Sequence, residues 1–307
     1  MKVLITGGAG YIGTQITRLL NDNPSVSEIV IYDNLSRSNR NFFIGVEKLN
    51  TEKVRFVHGD LLDTAKLRAS LQSVEIVYHL AANVTTPFSD QHPHLFEQVN
   101  HWGTAEVVYA IEATPSVKRL IYLSSASVYG ASKEIYRLHE TPQPKTFYGI
   151  SKLRGEKHVQ RMIPKLERCY ILRCGNVYGY NKSMRFDAVI NRFMFEANYN
   201  SRITIDGTGA QHRPFIHIDK IGEALSALSE SDIVSGYYNV LDKNLAIGDI
   251  VEVIRELYPD LEMIFVNQHM DMRELQVEAS PEISALFAKN KGTLKEELTH
   301  FREKFVF

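Results

Sequence analysis

"VLITGGAGYIG", Val3 to Gly13, decides the fold. An apolar, β-branched run enters a glycine-rich turn, and the residues beyond it, "YIGTQITRLLNDN", carry apolar side chains at helical spacing before a breaker. Gly7, Gly10 and Gly13 are spaced G-x-x-G-x-x-G. The first glycine permits a tight turn, the second lets backbone approach a pyrophosphate, and the third lets helix and strand pack closely. Phosphates would then face the free N–H groups of the helix N-terminus, which makes Gly7, Gly10, Tyr11, Ile12 and Gly13 the first candidate dinucleotide-binding residues. No G-x-x-x-x-G-K-[ST] is present, so a P-loop nucleotidase is not expected.

Outward from this turn, "IVIYDN" reads as the second strand, ending at Asp33 with Asn34 beside it, about 20 residues beyond Gly13. A carboxylate there accepts hydrogen bonds from a ribose diol and repels a 2′-phosphate, so NAD is expected over NADP. Arg37 and Arg40 follow and read as solvated loop arginines. The rhythm continues through the strand "VRFVHGD", the helix "TAKLRASLQ", the strand "VEIVYHLAA", the helix "EQVNHWGTAEVVYAIEAT", the strand "RLIYLSSA", another helix, and the strand "RCYILRCGNVYG". Near-continuous apolar strands separated by helices predict an α/β fold, a Rossmann-type doubly wound parallel sheet covered on both faces. After about Gly179 strands are expected to become fewer, with "DGTGAQHRPFIHIDK" a polar connection. That shift divides the chain into a cofactor domain over 1–178 and a smaller substrate-binding lobe over 179–307, some later segments of which return to the first domain.

Composition narrows the class. The 307 residues are 44% hydrophobic and 23% charged, and 35 basic against 36 acidic residues give a net charge of -1. No whole-molecule field draws such a chain to nucleic acid or to an acidic membrane. No apolar run approaches a membrane span and the N-terminus lacks a leader pattern, so a cytoplasmic location is expected. Cys169 and Cys174 flank a strand and read as reduced, packed thiols. The histidines are scattered without metal-ligand spacing, and no metal is expected.

"TFYGISKLRGE", Thr146 to Glu156, places Tyr148 and Lys152 one helical turn apart on one face. With "TGGAGYIG", "HGDLLD", "HLAA", "YLSSASVYG" and "YGISK" in this order, the chain resembles the extended short-chain dehydrogenase/reductase family, in its nucleotide-sugar epimerase and dehydratase branch, from Met1 to about Arg273. The resemblance implies that Tyr148 is the catalytic acid/base, that Lys152 holds the nicotinamide ribose and lowers the tyrosine pKa, and that Ser125 hydrogen-bonds the reacting oxygen, with Ser124 and Ser127 as runners-up. A free phenol titrates at about 10, and an adjacent ammonium favours phenolate. By the same resemblance Asp60 and Leu61 bracket the adenine, Leu80, Ala81 and Ala82 floor the cofactor, and Asn100 stabilises the central strand. Asn176, Arg213 and Arg273 would contact the sugar nucleotide's pyrophosphate. Around Arg273 the family's Arg-Pro-Gly-Asp is replaced by Arg273, Glu274, Leu275 and Gln276.

Dehydratases of this branch typically carry an acidic residue just before Val-Tyr-Gly, where this chain has Ala126 and Ser127. The expected reaction is therefore NAD-dependent epimerisation of a nucleoside-diphosphate sugar, most plainly at C4, by transient oxidation to a keto sugar and return of hydride to the opposite face. A 4-ketoreductase using the same three residues is the alternative, and a non-catalytic dinucleotide sensor a third. Specificity should reside in loops around Val84 to Phe88, Phe186 to Arg192 and Ile203 to Gly209. A homodimer is expected, joined through the helices holding Asn100 to Glu112 and Tyr148 to Arg161.

Overall fold

Along the first strand Val3 and Ile5 face one hydrophobic core while Leu4 faces another, and Ile29 and Ile31 against Val30 repeat the alternation on the second. Both faces of these strands are buried, because successive side chains of a strand point to opposite sides of the sheet. A computed structural model describes residues 1–38, 40–46, 48–84, 93–269 and 272–307. In chain order it has β1 (Lys2–Thr6), α1 (Tyr11–Asp22), β2 (Glu28–Asp33), β3 (Val54–His58), α2 (Thr64–Ser70) and β4 (Ile76–His79). One long helical stretch follows, made of α3 (Pro93–Phe96), a π-helical segment (Glu97–Trp102) and α4 (Gly103–Glu112). Then come β5 (Arg119–Ser125), β6 (Ile135–Tyr136), α5 (Phe147–Gln160), β7 (Arg168–Cys174) and β8 (Asn176–Tyr178).

The remainder holds α6 (Val189–Asn200), β9 (Arg202–Asp206), β10 (His212–His217), α7 (Ile218–Ala227), β11 (Gly236–Val240), β12 (Lys243–Ala246), α8 (Ile247–Leu257), β13 (Glu262–Val266), β14 (Gln276–Val277), α9 (Pro281–Ser284) and α10 (Leu294–Arg302). The main sheet runs β3-β2-β1-β4-β5-β7-β11, with every neighbouring pair parallel. This is the Rossmann order, doubly wound from β1 outward in both directions, and it opens a crevice beyond the carboxyl ends of β1 and β4 where the winding reverses. Ile16 and Leu20 of α1 and Ile221 and Leu225 of α7 cover one face. Leu67 of α2, Val107, Val108 and Ile111 of α4 and Val159 of α5 cover the other.

Strands do not thin out after Gly179 as the sequence suggests. β9 to β14 all lie beyond it. β11 extends the main sheet, β10 and β12 join β8 in a three-stranded sheet, β9 pairs with β13, and β14 pairs with β6. The stretch read as a polar connection contains β10 and the start of α7. Its "HRPFIH" escapes hydrophobic patterning because the strand is short, contains a proline and belongs to a small sheet with half-buried polar positions His212 and Arg213. A separate core of Phe193, Met194, Ile203, Phe215, Ile250 and Phe301 gathers these later elements. Among the described residues no helix is long and apolar enough to cross a membrane. Cys169 and Cys174 are buried free thiols.

Candidate active site

The glycine turn sits where the sheet's winding reverses. Gly7 has φ of 71°, and a β-carbon there would lie 2.6 Å from the Ala81 backbone nitrogen, so the turns after β1 and β4 touch backbone to backbone. A β-carbon on Gly13 would press into the Gly7 carbonyl oxygen and lie 2.6 Å from Gly8 Cα. Gly13→Ala therefore pushes α1 off its turn at a cost of about 1–3 kcal/mol. The expected outcome is a lowered Tm together with loss of co-purifying NAD, read by thermal scanning and by nucleotide extraction.

Gly10 is the N-cap of α1, no side chain caps this end, and no acidic residue occupies the first turn. The first N–H groups of the helix, which include those of Tyr11, Ile12 and Gly13, therefore have no side-chain acceptor and suit a phosphate. The Tyr11 ring itself is buried and its hydroxyl donates to the Gly179 carbonyl, so it ties α1 to the later part of the chain. Asp33 closes β2 with one carboxylate oxygen accepting from the Ala9 N–H at 3.1 Å and the other from the Leu35 N–H at 2.8 Å. Burial pushes its pKa up, and those backbone donors oppose the rise. Asn34 donates to the Asp60 carboxylate at 2.8 Å, and Tyr32 donates to the Asp60 carbonyl at 2.7 Å. Leu61 is buried, while Leu80, Ala81 and Ala82 are half-buried beyond β4. A diphosphate-binding helix end beside a ribose-binding carboxylate is the donor set that NAD requires.

Arg37 is an exposed loop arginine, as its sequence context suggests, and it also has partners. It donates to the Val84 carbonyl at 2.9 Å and stands 3.7 Å from Asp187, which Arg185 grips through two hydrogen bonds of 3.0 and 2.7 Å. This link escapes a sequence reading because its partners come from separate segments. Of the specificity loops, residues 85–92 lie outside the described residues.

Thr146 caps α5, its hydroxyl accepting from the Gly149 N–H at 3.1 Å. The helix buries Tyr148, Ser151, Lys152, Gly155, Glu156 and Val159 along one stripe. Tyr148 and Lys152 thus share a face, as their spacing predicts, and the Tyr148 phenol faces the side chain of Ser125 at the carboxyl end of β5. The parallel sheet places that end on the same edge as the glycine turn. Lys152 sits with its ammonium 4.4 Å from the Tyr122 ring centroid.

The electrostatics depart from expectation. Burial raises the Tyr148 pKa, with Ser125 and then Arg185 opposing. Lys152 is not among the groups that lower it, and burial brings Lys152 itself down to about 7, with Glu156 opposing. Desolvation penalises the charged form of each group. Burial thus disfavours both the phenolate and the ammonium.

Asn100 lies in the π-helical segment and is fully buried. Its side chain accepts from the Asn83 N–H at 2.8 Å and donates to the Asn83 carbonyl and the Ser151 hydroxyl, both at 3.0 Å. It therefore ties the segment leaving β4 to α5, in place of bonding a strand residue. The extra residue of a π turn aims a side chain that a regular helix would turn away.

Arg213 and Arg273 come together. Burial first and Arg273 second lower the Arg213 pKa to about 10, and burial also lowers that of Arg273. One buried Arg273 terminal nitrogen has no hydrogen-bond partner among the described residues. Glu274, which stands where the family has proline, pairs with His212 at 2.8 Å and accepts its N–H at 3.0 Å. Leu275 donates to the His212 carbonyl at 3.2 Å. These bonds pin the Arg273 segment to β10 and so hold the arginine beside Arg213 despite the changed sequence. Asn176 is exposed at the start of β8 and donates to the Pro214 carbonyl at 3.1 Å.

Residues 3–240 match the model of the NAD dependent epimerase/dehydratase family. The chain is 28% identical over 277 residues to dTDP-D-glucose 4,6-dehydratase of Bos taurus, covering 85% of this chain and 75% of that one. It is 30% identical over 270 residues to UDP-glucose 4-epimerase of Erwinia amylovora, covering 78% and 77%. The solved UDP-glucuronic acid 4-epimerase from Bacillus cereus, in complex with UDP-glucuronic acid and NAD, superposes with a TM-score of 0.86 at 25% identity, covering 99% and 98%. A Rossmann sheet, an uncapped helix end beside Asp33, and a match over most of the length agree: the chain belongs to the NAD-dependent epimerase/dehydratase family, whose members act on nucleotide sugars.

Proposed function

We propose that the protein is an NAD-dependent epimerase that inverts C4 of a nucleoside-diphosphate sugar. The observation that carries this reading is the placing of Tyr148 and Lys152 on the buried face of α5, with Ser125 facing the phenol at the cofactor edge of the sheet and a following turn, Ala126–Tyr129, that contains no carboxylate. NAD held at the N-terminus of α1 and at Asp33 would supply reversible hydride acceptance, together with a positive charge that favours phenolate. Ser125, whose hydroxyl accepts the Ser127 N–H at 3.1 Å, holds the reacting sugar oxygen. Tyr148 as phenolate removes that oxygen's proton during oxidation and gives it back during reduction. Lys152, as its ammonium, holds the ribose and favours the phenolate. The Arg213–Arg273 pair supports binding of the diphosphate, since half-buried guanidinium groups that repel each other gain from an anion bound near both.

Elimination of water needs a further acid that the turn after Ser125 does not supply, which favours epimerisation over dehydration. On this reading residues 1–178 hold the cofactor and most of 179–307 hold the sugar nucleotide, with β11 returned to the main sheet. Exposed Trp102, Tyr109 and Phe147 on the helical stretch and α5 support pairing of two copies there. The test is NMR of UDP-, GDP-, CDP- and dTDP-sugars incubated with protein as purified. The expected result is conversion of one sugar to its C4 epimer without added NAD and without net change in reduced-nicotinamide absorbance. Stoichiometric consumption of NADH or NADPH would replace this reading with a ketoreductase.

A further inference from the structure

Behind Tyr148 and Lys152 lies a second charged pair. Glu156, one turn beyond Lys152 on the same buried stripe, meets Arg173 of β7 in an ion pair whose side chains are 2% and 6% exposed. Both carboxylate oxygens are engaged: one accepts from the Ser124 hydroxyl at 2.6 Å and from Arg173 Nε at 3.1 Å, the other from Arg173 Nη2 at 2.8 Å. The remaining guanidinium nitrogen donates to the Tyr129 hydroxyl at 3.0 Å, which donates to Asn239 of β11 at 2.7 Å. The Tyr129 and Tyr237 rings each lie 4.9 Å from the guanidinium carbon. Burying such a pair gains little stability over an apolar pair of the same shape, because desolvation offsets attraction. Its value must be sought in what it positions.

The proposed catalytic groups come from two elements, Ser125 from the end of β5 and Tyr148 with Lys152 from α5. Ser124 immediately precedes Ser125, and Tyr129 ends the turn that follows it. Both residues are bonded into the Glu156–Arg173 pair, and Glu156 belongs to α5. One carboxylate therefore registers strand, turn and helix against each other. Reacting groups tolerate only small misplacement before rate collapses.

We propose that the Glu156–Arg173 pair is the positioning device of the active site, holding Ser125 in register with Tyr148 and Lys152. The charged and titratable groups around Lys152 are Tyr148 and Glu156 on its own helix, Tyr122 from β5 and His79 from β4, with Arg173 beyond the carboxylate. Burial holds His79 neutral, pushing its pKa down to about 3. Glu156 is the anion that opposes the desolvation of Lys152. The sign follows directly: with the carboxylate gone, Lys152 loses its proton at lower pH, and because Lys152 titrates below Tyr148 it is the acidic limb of kcat that moves further toward acid.

The inference rests on Tyr148 and Lys152 being the proton-transfer pair, so Tyr148→Phe is run alongside. If that variant stays active the functional reading fails; if it is dead, the remaining variants judge the pair alone. Glu156→Gln should lower kcat about tenfold or more with KM and NAD retention unchanged, and should move the acidic limb of kcat toward acid. Arg173→Lys keeps charge but loses the planar fork, and should lower kcat about tenfold with the limb unmoved. Glu156→Gln/Arg173→Met removes both charges, folds where the single charge loss does not, and should show the same fall in kcat with a smaller acid shift, since the lost guanidinium charge offsets part of it. A folded Glu156 variant with the wild-type kcat overturns the proposal. So does failure of all three variants to fold, which would mark the pair as scaffold only.

Discussion

Replacing Tyr148 by Phe lowers turnover by about 10²–10⁴-fold, the range that a positioned acid/base contributes, and leaves NAD retention and Tm close to wild type. The ring stays packed edge-on against Phe96, with centroids 6.2 Å apart, and only the hydroxyl that faces Ser125 is removed. A purely structural tyrosine behaves otherwise, losing stability before rate. Burial raises the phenol's pKa and lowers that of Lys152 to about 7, so the lysine titrates first: wild-type turnover should climb with pH to a break set by Lys152 and fall again only where the phenol titrates. The alkaline limb belongs to Tyr148 and disappears into the residual rate of the Phe variant. Turnover within tenfold of wild type, a deficit below about 1.4 kcal/mol, would remove Tyr148 from the chemistry.

How much of this was legible in the sequence depended on what surrounds each residue. β1, β2, β4, β5 and β7 read correctly because strands buried on both faces must be apolar throughout. Tyr148 and Lys152 stood out because helical geometry alone places them on one face. Glu156 did not. The buried stripe of α5 is built largely from Tyr, Ser, Lys, Gly and Glu, so hydrophobic patterning gives no sign that this face is inside, and Glu156 reads as surface charge. Its partner Arg173 lies in another strand, and no local rule joins them. Arg37 is exposed as it reads, but its partners Val84 and Asp187 are hidden from the sequence for the same reason. The titration of the Tyr148–Lys152 pair was misjudged because sequence shows a neighbouring cation but not the depth of burial, and burial is the larger effect for both groups. The role of Glu274 at the family's proline position is likewise not local, since its partner His212 lies on the distant strand β10.

That repaired segment leads to the second large effect. Arg213→Met/Arg273→Met should raise KM for the sugar nucleotide by about 10²–10⁴-fold, since each charge-assisted bond to phosphate contributes about 1.5–3 kcal/mol. NAD retention should stay unchanged, because neither arginine belongs to the glycine turn or to the Asp33 region. The ligand-free protein has a further tell. Arg213 is held at a pKa of about 10 by burial and by Arg273, with only Glu274 opposing, and an arginine in that condition is a positive charge waiting for an anion. Removing the two guanidinium groups relieves their repulsion, so Tm without ligand should hold or rise, while the increase in Tm that a nucleoside diphosphate gives the wild type should vanish. Stability and binding then move in opposite directions, the signature of residues kept at a cost for their ligand. If the double variant instead unfolds at lower temperature and binds the nucleotide as wild type does, the arginines are part of the scaffold and the diphosphate lies elsewhere.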